Sequence, residues 1–280
     1  MPSTLANRIS IWYEALGDPA GPPVLLVMGQ GAQATGWPAP FCQALVAAGL
    51  FVIRYDNRDV GYSTWFADGE AYTLEDMAAD AVGLLDALGI ERCHLVGASL
   101  GGAIAQLVAI AHPGRVLSLT SIMASAGRDT PADGGREALL DRFERERLAS
   151  DAEAIEESVE SWRMCAAKSQ PFDAEWWREF VTDQHRRRPN PRANAHHRRA
   201  MERSGSRLAS LAGISTAALV IHGDEDPLVP LSEGEAVARA IPGARLHVVR
   251  GMGHELPPRV LTEIAAAIAG FIQEAARSAR

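Results

Sequence analysis

Short apolar runs rich in Val, Ile and Leu alternate along the chain with longer stretches in which apolar residues recur at helical spacing. Residues 24–28, 51–55, 94–96, 116–123, 217–222 and 246–249 read as strands, and residues 40–48, 74–88, 100–111, 232–240 and 260–276 read as helices. Residues 9–14, ahead of the Gly/Pro-rich stretch 17–23, read as an antiparallel edge strand. Strands that are continuously apolar, rather than alternating, are buried on both faces. The pattern therefore predicts an α/β fold, a mostly parallel sheet flanked by helices on both sides.

The alternation stops near Ser125. From 128 to 211 the composition shifts to Arg, Glu, Trp and Ala at helical spacing, opened by the turn-rich 129–135 and with Gly205 and Gly213 near its end. The expected organisation is a core domain of residues 1–127 and 212–280, with residues 128–211 inserted in it as a helical cap. A block placed between two strands of a wound sheet is expected over their carboxyl ends, where ligands bind. No internal repeat or low-complexity tract is evident.

At 280 residues, 47% hydrophobic and 22% charged, the chain can bury a large core. Its formal charge of −8 argues against a surface built to neutralise nucleic-acid phosphates. A small neutral or hydrophobic substrate fits better. Of the 27 basic residues all but Lys168 are Arg. No Gly-rich turn surrounds Lys168, which excludes a Walker-type phosphate loop, and a Schiff-base enzyme would have to rely on this lysine alone. Cys42, Cys93 and Cys165 lie far apart, so neither a disulfide framework nor a thiolate metal site is indicated. The first residues lack the apolar stretch of a secretion signal, and no long uncharged apolar run follows. A cytoplasmic protein without membrane or nucleic-acid partners is expected.

Gly97-Ala98-Ser99-Leu100-Gly101-Gly102 follows one expected strand and opens an expected helix. In that context Gly-x-Ser-x-Gly is a nucleophile elbow, where glycines permit a turn too tight for β-carbons and lift the Ser hydroxyl above the sheet. An ordinary Gly-rich turn or a phosphate loop is the plainer alternative. A serine needs a base, and eight histidines compete. His94 and His247 fall in strands, His112 at a helix end, and His185, His196 and His197 in the Arg-rich insertion, all readable as core or surface. His222 ends a strand and supports its loop. His254, in the loop after the last strand, reaches the sheet edge that carries Ser99. A carboxylate must then orient the imidazole. Asp226 is favoured over its neighbours Asp224 and Glu225, in the loop after the penultimate strand.

The order Ser99, Asp226, His254 resembles the α/β-hydrolase family. So do the turn Asp56-Asn57-Arg58-Asp59-Val60-Gly61-Tyr62-Ser63, with Asp59 where the family pattern has Gly, and Gly223-x-x-Asp226-x-x-x-Pro230. Residues 27–30, 36–38 and 52–56 look most like the aclacinomycin methylesterase type within it. The resemblance implies a serine esterase with an oxyanion hole made by the backbone amides of Gln30 and Leu100. It implies no cofactor. Gly29 and the insertion aromatics Trp162, Trp176 and Trp177 are candidates for the substrate pocket, along with Phe172 and Phe180. The Arg-rich run from Arg186 to Arg207, with the acids Glu144, Glu146, Glu153, Glu156 and Glu157, reads as a salt-bridged, solvated helical face. The expected activity is cleavage of carboxylic esters of small to medium hydrophobic molecules, a methyl ester or lactone of a polyketide-like compound among them. The alternatives are a small-molecule receptor on the same scaffold, or the same triad used for C–C bond hydrolysis, amide cleavage or perhydrolysis. The acyl and alcohol groups and the oligomeric state stay open.

Overall fold

A computed structural model describes residues 2–127, 137–139, 141–142 and 151–278. Its strands are β1 (Ser3–Ala6), β2 (Ile9–Leu16), β3 (Pro23–Val27), β4 (Phe51–Tyr55), β5 (Cys93–Ala98), β6 (Val116–Ile122), β7 (Ala218–Gly223) and β8 (Arg245–Val249). Its helices are α1 (Ala39–Ala47), α2 (Leu74–Ala87), α3 (Leu100–Ala111), α4 (Asp151–Cys165), α5 (Ala174–Arg186), α6 (Ala193–Ser204), α7 (Leu231–Ala240) and α8 (Pro258–Ser278). The strands form one sheet in the order β1-β2-β4-β3-β5-β6-β7-β8, antiparallel at β1/β2 and β2/β4 and parallel elsewhere.

Two-sided burial follows from the strand sequences. Along β3, Leu25 and Val27 pack into one core with Leu84 of α2 and Ile104 of α3, while Val24 and Leu26 pack into the other with Phe41 of α1 and Ile264 of α8. Val220 and Ile221 of β7 divide the same way. Successive side chains point to opposite faces, so a strand with helices on both sides must be apolar throughout.

The expected edge strand is the second strand instead. Ser3–Ala6 pairs outside it, joined by a hairpin whose two loop residues, Asn7 and Arg8, have φ of 46° and 67°. Two positive φ values define the tight turn whose twist suits a hairpin. Asn tolerates that conformation but Arg gives no sign of it, and four residues with Leu5 73% exposed leave no readable periodicity.

After β3 the chain moves toward β4, and after β5 it moves the opposite way toward β6. The loops following β3 and β5 therefore diverge and leave a crevice at the strands' carboxyl ends, the usual ligand position in a wound sheet. Helices α4–α6 lie in sequence between β6 and β7, and no strand occurs among the described residues of that stretch. The turn expected at 129–135 lies outside the described residues. Trp177, Val159 and Val181 form a small core of their own there, with Trp162, Trp176 and Phe180 packed against it.

Candidate active site

Ser99 sits between β5 and α3 at φ 54°, ψ −121°, a conformation rarely taken by a residue with a β-carbon. Its surroundings permit nothing bulkier at two flanking positions. A β-carbon on Gly97 would run into the carbonyl of Gly101, and one on Gly101 into the carbonyl of Val27. Ser99 makes no side-chain cap for α3, so its hydroxyl is available to other partners.

His254 lies in the loop after β8, anchored by its N–H to the Cys165 carbonyl at 2.8 Å. Its Nδ1 is 2.7 Å from Asp226 Oδ2 and its Nε2 is 2.9 Å from Ser99 Oγ. An ionised carboxylate only accepts, so Nδ1 carries the proton and Nε2 presents its lone pair to the serine. Asp226 Oδ1 accepts from the N–H groups of Leu228 (2.9 Å) and Val229 (2.7 Å), which hold the carboxylate in one pose. This arrangement can take a proton from the hydroxyl as the oxygen attacks and stabilise the resulting imidazolium.

The rival acids are occupied elsewhere. Asp224 accepts from Gly251 N–H at 2.7 Å, and Glu225 accepts from the backbone and hydroxyl of Ser169. His222 donates from Nε2 to the Val229 carbonyl at 2.8 Å and so supports the Asp226 loop; burial pushes its pKa down.

The loop after β3 passes against the elbow. A β-carbon on Gly29 would lie 3.2 Å from that of Ser99. The next two residues are tied to α6, since Gln30 Nε2 donates to the Asn194 carbonyl at 3.0 Å and Gly31 N–H donates to His197 Nδ1 at 3.0 Å. The Gln30 side chain is thereby engaged by α6. His197 Nε2 donates in turn to the Arg58 carbonyl at 2.9 Å, so the ring is a neutral bridge, and full burial pushes its pKa down to about 4.

A cavity of about 380 Å³ opens at Ser99 and His254, with Gly29, Trp162, Trp177 and Phe180 in its wall. Trp162 and Trp177 stack at 4.5 Å. Trp176 does not reach this wall; it packs edge-on against Trp177 and stacks on Phe180 at 5.3 Å, one helical step off the lining face.

The Arg-rich run departs from a simple solvated face. Arg178–Glu156 and Arg186–Asp183 are exposed pairs of that kind, and Glu144 and Glu146 lie outside the described residues. Arg187, however, reaches into the core and pairs with fully buried Asp56 at 2.8 Å, with Gln33 as a second acceptor. Asp59 is a second buried anchor. It accepts from Tyr72 OH (2.6 Å), His196 Nδ1 (2.9 Å) and Phe66 N–H (2.7 Å), and its φ of 65° shows why the motif ordinarily carries Gly there. Nothing in the spacing of Asp59 and His196, 137 positions apart, announces this contact.

Comparison with known proteins agrees with this architecture. Residues 22–257 match the family described as alpha/beta hydrolase fold. Rhodomycin D methylesterase of Streptomyces peucetius is 36% identical, over 96% of this chain and 97% of its own. A 2-hydroxymuconate semialdehyde hydrolase of Pseudomonas putida is 30% identical, over 91% and 88%. The solved structure of a mutant meta-cleavage product hydrolase from Pseudomonas fluorescens superposes with TM-score 0.81 at 24% identity, covering 98% of each chain. The resemblance to methylesterases read from the sequence is borne out, and the chain belongs to the α/β-hydrolase family.

Proposed function

We propose that the protein is a carboxylic ester hydrolase in which Ser99 is the nucleophile, His254 the general base and acid, and Asp226 the group that fixes the histidine tautomer. The observation carrying this reading is the continuous relay from Asp226 through both ring nitrogens of His254 to Ser99 Oγ, at 2.7 and 2.9 Å, at the mouth of an apolar cavity. His254 Nε2 takes the Ser99 proton as Oγ adds to the ester carbonyl. The backbone amides of Gln30 and Leu100 receive the oxyanion, and the alcohol leaves with the proton from Nε2. Water, deprotonated by the same nitrogen, then adds to the acyl-serine and releases the acid.

Residues 128–211 act in this reading as a cap over the strand ends, its aromatic wall receiving a hydrophobic ring system. The substrate is a hydrophobic ester, with a methyl ester of a polyketide-like molecule favoured by the similarity to rhodomycin D methylesterase. A fluorophosphonate probe should label Ser99 in the folded protein. Ser99→Ala should lose about 10⁴-fold or more in kcat on methyl and p-nitrophenyl esters; full activity in that variant, or absence of labelling, overturns the assignment. The similarity to a 2-hydroxymuconate semialdehyde hydrolase supports C–C bond hydrolysis by the same residues as the second reading. Its mark would be turnover of ring-cleavage dienoates faster than of any ester in the panel.

A further inference from the structure

Two cavities meet at Ser99. The second, about 300 Å³, shares Gln30, Ser99, Met123 and Leu228 with the first but extends along α6, past Met201, to Glu202 and two arginines. Those arginines differ in how their charge is answered. Arg198 is met by the carboxylates of Glu137, Asp141 and Glu202. Arg207 is only 5% exposed and has no carboxylate within ion-pair distance among the described residues. Glu75, the acid whose field reaches it, is engaged by the Ser204 hydroxyl at 2.9 Å.

A guanidinium has five N–H donors. Arg207 Nε donates to Gln106 Oε1 at 3.3 Å and Nη2 to the Ser125 carbonyl at 3.0 Å, which accounts for two of them. A role as a brace between α3 and the chain after β6 explains those two bonds but not the charge, because a neutral side chain would make them without the cost of burying a cation. Burial lowers the pKa of Arg207 to about 10, which leaves it cationic near neutrality.

We infer that this second cavity is a carboxylate subsite, in which Arg207 receives an anionic carboxylate carried by the ester substrate away from its scissile group. The inference rests on Ser99 as nucleophile, since it is the shared position of Ser99 that makes the cavity part of the substrate path. A buried, planar guanidinium with no carboxylate partner among the described residues suits a carboxylate, which it can grip through two parallel hydrogen bonds. The substrates implied are half-esters of diacids, or cyclic esters that carry a free acid.

The test compares monomethyl esters of diacids, succinic to suberic, with uncharged methyl esters of matched length, in the full-length protein at low salt. The readout is the ratio of kcat/KM for the charged ester to that for its neutral partner, measured in the same enzyme. In wild type the best chain length should give a ratio of about tenfold or more, the size of one charge-assisted hydrogen bond. Arg207→Gln should bring the ratio to about one and Arg207→Lys should keep part of it, while Arg199→Gln, at an exposed position, should leave it at the wild-type value. If Arg207→Gln does not fold, Met201→Trp, which narrows the cavity, must lower the ratio instead. A wild-type ratio at or below one, or an unchanged ratio in Arg207→Gln, overturns the subsite. Failure of the Ser99 assignment looks different, because neither ester would be turned over. In that event calorimetric titration of the protein with monomethyl adipate and methyl hexanoate still decides, tighter binding of the anion being required.

Discussion

The described residues contain two buried Asp–His pairs of nearly the same geometry, set in different surroundings. At the strand ends, His254 Nδ1 lies 2.7 Å from Asp226; at the junction with α6, His196 Nδ1 lies 2.9 Å from Asp59. Both imidazoles are almost fully buried. What separates them is the second ring nitrogen. In His254 it faces a serine hydroxyl at the wall of a cavity, whereas in His196 it makes no hydrogen bond among the described residues, and its aspartate is also held by Tyr72 and a backbone amide. An Asp–His pair is thus a device for fixing a ring, and the group beyond the ring decides whether it does chemistry or joins two parts of the fold.

Replacing each aspartate by asparagine should pull the two pairs apart most strongly. In Asp226→Asn the amide oxygen will turn toward the N–H groups of Leu228 and Val229, leaving NH₂ against His254 Nδ1. That nitrogen must then accept, the proton moves to Nε2, and Ser99 loses its base. A fall in kcat of about 10⁴-fold with little loss of stability is expected. In Asp59→Asn, an amide oxygen turned to Tyr72 and His196 sets NH₂ against Phe66 N–H, and the opposite turn sets NH₂ against both side chains, forcing the Tyr72 hydroxyl to accept and His196 to give up its Nδ1 proton. Stability should drop by about 3 kcal/mol in denaturant unfolding, with kcat per folded molecule changed far less. If the activity losses are equal, the two pairs do not have separate roles.

These two pairs were unequally legible in the chain. Ser99, Asp226 and His254 each follow a strand, and the glycines at 97 and 101 exist because backbone passes within contact distance there, so local sequence carries the constraint. The central parallel strands such as β3 and β7 were legible for the same reason, their two-faced burial leaving continuous apolar runs. Asp59, Arg187 and His197 carry no such mark. Their partners come from remote segments, and an Arg-rich helix reads alike whether its charges meet water or a buried carboxylate such as Asp56. The substitution of Asp for Gly at 59 was the one available hint, since a residue with a β-carbon held at positive φ needs a compensating role.

The histidine next to His196 gives a smaller, pH-dependent contrast. His197 is held neutral between Gly31 N–H and the Arg58 carbonyl, with Asp59 and His196 as charged or titratable neighbours, and burial lowers its pKa from 6.5 to about 4. Between those values the unfolded chain binds a proton that the native ring refuses, so stability is intact above pH 6.5 and declines as pH falls toward 4. The loss attributable to this ring is about 2 kcal/mol at pH 5. His94, also lowered to about 4 by burial, adds in the same direction, while Asp56 and Asp80, raised by burial, oppose it. The difference between wild type and His197→Gln isolates the effect: Tm should fall a few degrees further in wild type between pH 7 and 5. Parallel curves would mean that the ring is not held neutral.

The smallest effect concerns two neighbouring tryptophans of α5 and separates lining from backing. Trp177 is buried in the cavity wall, stacked on Trp162, whereas Trp176 is turned one helical step away and only half-buried. Trp162→Ala removes apolar surface that a bound ring would cover, and KM for a bulky hydrophobic ester should rise by about tenfold, with a smaller change for methyl acetate. Trp176→Ala removes surface that packs on Trp177 and Phe180 outside the wall, so kcat/KM should stay within about threefold on both esters, because a side chain outside the wall acts on substrate only through the packing of its neighbours. A large and substrate-selective loss in Trp176→Ala would place that ring in the wall after all, and would require α5 to turn by about one residue relative to the strand ends when substrate binds.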